Sequence, residues 1–240
     1  MKELGEGYSL SGKSIYYHDS ETFTSLRKII DHNTFELIGS FEDKTFYFKD
    51  KKNVYVSSYM CRPSVIEGAD QETFKIFDAS EGIGYDRNGY YWYDKKLPYD
   101  YSQAEPYNGY YLRSGENVFF ITEKAEGADA DSFSIIWQNI GRDKHSLYFR
   151  GKKDTNVAVD TFKMVPGCFE EFHLDQSHTY YAFDQNHVYF VNTLSQELKK
   201  LSRIKPSGFS VKVIDERLYG FYADAIYFFG RKRKNLNLKF

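Results

Sequence analysis

Cysteine and proline are scarce: two cysteines, Cys61 and Cys168, and five prolines in 240 residues. Two thiols more than a hundred positions apart exclude a disulfide-stapled scaffold and fit a reducing compartment. No stretch approaches the roughly 20 apolar residues that a membrane-crossing helix needs. The opening MKELGEGYSLSGK has no apolar run, so no export signal is expected and the location expected is cytoplasmic. The formal net charge of −2 gives the whole chain no pull toward nucleic acid or an anionic membrane. The motifs GxGxxG, HExxH, CxxC and GxSxG are all missing, and no P-loop is expected. No catalytic residue, cofactor or metal is therefore expected from a recognisable signature.

What the chain has in excess is aromatic rings: 22 Tyr and 21 Phe. These residue types favour strands, where flat rings pack on a pleated surface. Their placement repeats. Segments such as FYFKDKKNVYV (46–56), IGYDRNGYYWY (83–93), IGRDKHSLYF (140–149) and YYAFDQNHVYF (180–190) read as strand, polar turn, strand. Seven such segments are anchored at Ile15, Val54, Tyr90, Val118, Leu147, Val188 and Ile226, spaced 28 to 41 residues apart. In six of them the anchor lies four residues after Ser11, Asp50, Asp86, Ser114, Asp143 or Asp184; the turn at Asp224 is two residues shorter. Asp or Ser at the start of a turn accepts hydrogen bonds from backbone N–H groups just ahead. Asn and Gly inside it tolerate the left-handed backbone that hairpins use.

A second element follows most hairpins. It reads GADQETFKIF (68–77) and GADADSFSII (127–136), with shorter versions at 33–35, 159–165 and 207–214. Gly, Asp and a Thr/Ser-Phe pair predict a tight turn capped by Asp70 or Asp129. The alternation beyond it predicts a third strand. One such unit cannot bury its own face, so neighbouring units must stack. The expected fold is all-β: a single domain, 1–240, of about seven repeated hairpin or three-stranded meander units, arranged as a propeller-like ring or a stacked twisted array.

DKKNVYV, GADQETFKIF and YDRNGYYWYDKKL resemble the DKNYY repeat family of bacteria. Its members carry Asp-Lys-Asn-x-Val-Tyr-Tyr hairpins followed by Gly-Ala-Asp-x-x-Thr-Phe. The resemblance extends over nearly the whole chain and is closest at 46–93. It implies a repeated scaffold and brings no activity with it.

Several constellations invite a chemical reading. His173, His178 and nearby Cys168 suggest a metal site or a Cys–His pair, yet side chains in a strand–turn region need not face each other. Asp94 with Asp100, Glu170 with Glu171, and Asp129 with Asp131 have the composition of a glycosidase pair, and equally that of solvated turns. Asp86/Asn88 and Asp184/Asn186 resemble the start of a calcium loop, but each turn offers one carboxylate where calcium wants several; capping of the turn is the simpler reading. The basic run RKRKN (231–235) could touch phosphate or protect an aromatic edge strand from aggregation. Balanced charge argues against a nucleic-acid partner.

Binding is expected where the repeat breaks. LPYDYSQAEPYNG (97–109) combines Tyr, Ser, Asn and Gly, the composition of antibody-like contact surfaces. Tyr99, Tyr101 and Tyr107 are the expected contact residues, with Asp100 and Glu105 adding negative charge. The alternative is that these tyrosines fold back under the loop. A second departure, VPGCFEEFHLD (165–175), adds Glu170 and Glu171, with Asp175, beside two phenylalanines, which suits a basic partner. Together these features predict a non-enzymatic protein-binding module without a membrane role, in concrete form an immunity protein that covers a bacterial toxin. The rivals are a carbohydrate- or cell-envelope-binding module with Tyr91, Trp92 and Tyr93 as sugar platforms, and a glycosidase-like enzyme.

Overall fold

A computed structural model describes residues 1–154, 157–174, 178–195 and 197–233. The fold is all-β, with seven four-stranded antiparallel sheets. They follow one another along the chain at residues 2–22, 36–65, 75–96, 105–124, 134–154, 163–200 and 209–233. Within each sheet the strands lie in chain order, each beside its sequence neighbour. The seven expected hairpins form the two middle strands of the seven sheets.

Each unit has four strands rather than three. The alternating segment after Gly-Ala-Asp-x-x-Thr-Phe is the first strand of the next sheet, as with Lys75–Asp78 and Ser134–Trp137. The last strand is often a two-residue piece, Ser64–Val65, Lys95–Lys96 or Glu123–Lys124. Two residues are too few to show alternation in a sequence.

The chain forms two compact units, residues 1–104 and 105–240. In the first, the second sheet is buried on both faces, and strand periodicity divides its side chains. Phe46, Phe48 and Tyr55 join Tyr8, Ile15 and Phe23 in one apolar layer. Tyr47, Val54 and Val56 join Phe74 and Tyr91 in the next. In the second unit, Tyr148 packs with Tyr111 and Phe133, while Leu147 and Phe149 pack with Tyr180 and Val188. Stacking of this kind buries successive sheets of one unit against each other.

Tyrosine hydroxyls also link successive sheets of the second unit. Tyr111 donates to Tyr148 O at 3.0 Å and accepts from Gly151 N at 3.0 Å. Tyr181 donates to Tyr227 O at 3.1 Å. The Trp137 indole N–H donates to the Tyr180 hydroxyl at 2.8 Å. A buried hydroxyl would otherwise carry a desolvation cost of about 1–3 kcal/mol.

Candidate functional site

The most repeated chemistry in the chain is an aspartate at the start of a hairpin and a tyrosine five residues later. Asp50, Asp86, Asp143 and Asp184 are all buried. In the third of these, Asp143 Oδ1 accepts from His145 N and Ser146 N, both at 2.7 Å, which closes the turn. Its Oδ2 accepts from the Tyr148 hydroxyl at 2.9 Å and from Asp129 N at 3.0 Å. Asp184 repeats this with Asn186 N, His187 N, the Tyr189 hydroxyl and Ala158 N. Asp50 repeats it with Lys52 N, Asn53 N, the Tyr55 hydroxyl and Asp31 N. Asp86 does so with Asn88 N, the Tyr91 hydroxyl and Asp70 N. Each carboxylate thus binds the hairpin to the corner that leads into the same sheet.

The corner returns the contact. Thr34, Thr73, Ser132 and Thr161 accept the backbone N–H of Lys51, Arg87, Lys144 and Gln185 through their side-chain oxygens. Lys51, Arg87 and Lys144 pair with Asp31, Asp70 and Asp129; the cations are exposed, so solvent screens each pair and it adds little to the hydrogen bonds. The Phe that ends the corner, Phe35, Phe74, Phe133 or Phe162, is buried in the layer beneath. Gly84 and Gly141 lie directly under the rings of Phe74 and Phe133, with no room for a Cβ.

The electrostatics follow. Burial pushes the Asp143 and Asp184 carboxyls up, but the hydrogen bonds they accept more than offset this, so both sit below the ordinary range. Burial and the adjacent carboxylate raise the Tyr148 and Tyr189 phenols. The Asp-x-Asn starts are therefore turn clamps, their oxygens occupied by N–H and O–H donors rather than offered to calcium. Among the described residues, no group of three or more His, Cys, Asp or Glu is placed to hold a metal. Cys168 is fully buried, and burial raises its thiol to about 12, so it is held as the neutral thiol between Tyr181 N and O.

A partly exposed cluster of aromatic rings lies on the third sheet. The outer face of this sheet carries Phe77, Tyr85 and Tyr90, joined by Tyr101 from the inserted loop. Phe77 meets Tyr90 edge-on at 5.4 Å and Tyr101 at 5.8 Å between ring centres. Tyr85 stacks on Tyr90 at 5.7 Å. Phe77 remains 47% exposed although it meets three other rings. Tyr90 also lines an open groove of about 470 Å³ with Asn88, Lys96, Tyr99 and Asp100. Burial raises the Tyr99 and Tyr101 phenols, so both hydroxyls stay neutral hydrogen-bonding groups.

The expected contact residues separate into two sets. Tyr99, Asp100 and Tyr101 gather at this groove and ring cluster, in the first unit. Asp100 is also the cap of the turn Tyr101–Gln103, accepting from Ser102 N at 2.9 Å. Glu105, Tyr107, Glu170 and Glu171 belong to the second unit. Glu105 is exposed on an edge strand opposite Arg113. Tyr107 folds back: its hydroxyl donates to Ala130 O at 2.7 Å and its ring lies 5.1 Å from Phe133. Glu170 and Glu171 are exposed beside Phe172, which is 66% exposed, while Phe169 stacks inward on Trp137. Asp175, Lys234 and Asn235 lie outside the described residues. Tyr91 and Tyr93, sugar platforms in the rival carbohydrate reading, are buried: the strand turns Tyr91 into the core, and Tyr93 packs there from the turn just past it. Phe77, Tyr85 and Tyr90 are the contact candidates the sequence reading missed; the signal was Phe77 at an outward position of KIFD.

A family comparison matches residues 47–182, more than half of the chain, and the chain belongs to the DKNYY family. The matched span contains the Asp–Tyr clamps of Asp50, Asp86 and Asp143 and the inserted loop. No curated protein matches the chain. No helix among the described residues is long and apolar enough to cross a membrane.

Proposed function

We propose that this chain is a non-enzymatic protein-binding module, with the outer face of the third sheet and the loop at 99–101 as its contact surface. The observation that carries the reading is the partly exposed cluster of Phe77, Tyr85, Tyr90 and Tyr101 beside the groove. Rigid aromatic anchors surrounded by Asn, Lys and Asp side chains are what protein interfaces use for contact at low entropy cost. The repeated aspartates support it from the other side, since the hairpin carboxylates are committed to the scaffold. In its concrete form the module is an immunity protein that binds and covers a bacterial toxin.

The test is a titration of the purified chain against the product of the adjacent gene. Binding is expected, and Phe77→Ala and Tyr101→Ala are each expected to weaken it at least tenfold with the fold intact by circular dichroism. Retention only on polysaccharide, with no protein partner recovered, would overturn the proposal in favour of the carbohydrate reading.

A further inference from the structure

The seventh sheet, the last of the second unit, packs one face on the core through Leu218 and Tyr227. Its other face sets four cations among apolar side chains, Ile214, Tyr219, Phe221, Ile226 and Phe228. Register places Lys212, Tyr219, Phe228 and Arg231 opposite one another across all four strands. Arg217 and Arg233 project on the same face, their guanidinium carbons 5.8 and 5.6 Å from the centre of the Phe228 ring. Tyr219 stacks on Phe228 at 5.0 Å. The described carboxylates of this sheet, Asp215, Glu216 and Asp224, all sit in its turns. Four cations thus share one face and no carboxylate of the sheet's strands does, and two of the cations lie over one ring.

The outermost strand, Arg231–Arg233, is an edge, and no described strand pairs with its outer side. We propose that this edge receives an extended acidic segment of a protein partner, added as a fifth strand. Residues two apart on such a strand share a face and stand about 5 Å from their cross-strand neighbours. Carboxylates at alternate positions of the incoming segment therefore meet Arg231 and Arg233, and its backbone supplies the missing ladder. Protection of the edge from aggregation accounts for the charges of the last strand but not for Arg217, on a strand away from the edge. Single-stranded nucleic acid needs open rings for its bases; Tyr219 is 7% exposed and guanidiniums flank Phe228. The proposal goes beyond the reading above, because it uses a different surface.

The test is fluorescence anisotropy of the full chain with a labelled, end-capped peptide of four Glu-Thr repeats. The comparison is a Glu-Glu-Glu-Glu-Thr-Thr-Thr-Thr peptide of equal composition. The alternating peptide is expected to bind several-fold more tightly than the block, and at least tenfold more weakly to the double variant Arg231→Glu, Arg233→Glu. N-methylation of alternate amides is expected to abolish binding, which charge alone would not explain. Absence of binding, equal affinity for both peptides, an unchanged affinity in the variant, or tighter binding of a 15-mer of deoxythymidine would each overturn it. Both arginines are exposed, and circular dichroism of the variant checks the fold; Phe77→Ala, which tests the other surface, is expected to leave peptide binding unchanged.

Discussion

Asp184 accepts two N–H groups on one oxygen and an N–H and a phenol on the other. An amide in its place keeps one acceptor and turns donors toward donors. Asp184→Asn is expected to cost about 2–4 kcal/mol in urea unfolding. The tyrosines offer a sharper contrast. Tyr111 and Tyr47 are both fully buried. The Tyr111 hydroxyl serves three backbone groups, at Asn139, Tyr148 and Gly151, whereas the Tyr47 hydroxyl has no hydrogen-bond partner among the described residues. Tyr111→Phe is expected to lose about 1–3 kcal/mol, and Tyr47→Phe to be neutral or slightly stabilising, in the same assay. Nothing in the two local sequences, GYYLR and TFYFK, separates them; the difference lies in what the neighbouring sheet presents.

A whole hairpin responds to pH through its clamp. The Asp143 and Asp184 carboxyls sit below their ordinary value of about 3.9 in the folded chain. Their contribution to stability is therefore complete above that ordinary value and is lost as pH falls through the lowered folded one. Urea midpoints measured from pH 7 to pH 3 are expected to fall on the acid side, and Asp143→Asn with Asp184→Asn to flatten that fall. Sterics act at the same scale. A methyl at Gly84 must displace the Phe74 ring, so Gly84→Ala is expected to lower thermal stability by about 1–3 kcal/mol. The hairpins were legible because Asp, Lys and Asn recur at fixed offsets from an aromatic strand. The capped turn at Asp70 was legible for the same reason, and Glu72 N and Thr73 N do donate to its side chain. The contact from Asp70 N to Asp86 was not, since sixteen residues and a strand register separate them.

Across the molecule, seven four-stranded sheets come from one grammar, and the inserted loop that departs from it supplies Tyr101 to the ring cluster of the third sheet. The inserted loop is visible in the sequence; Tyr99 lines a groove and Tyr101 meets Phe77. Sequence could not tell which tyrosines turn inward, because in a chain so rich in rings composition looks the same on both faces; Tyr107 went under and Phe77 came out. Scaffold and proposed surface are separate sets of side chains: the Asp–Tyr clamps hold the hairpins, and the proposed contacts are outward rings and the loop at 99–101. A double-mutant cycle on Asp184 and Tyr189, read by urea unfolding, tests this most directly. The account expects Asp184→Ala and Tyr189→Phe each to destabilise the chain and to couple by about 1 kcal/mol or more. Two substitutions that leave stability unchanged, yet abolish recognition of a partner or substrate, would contradict it.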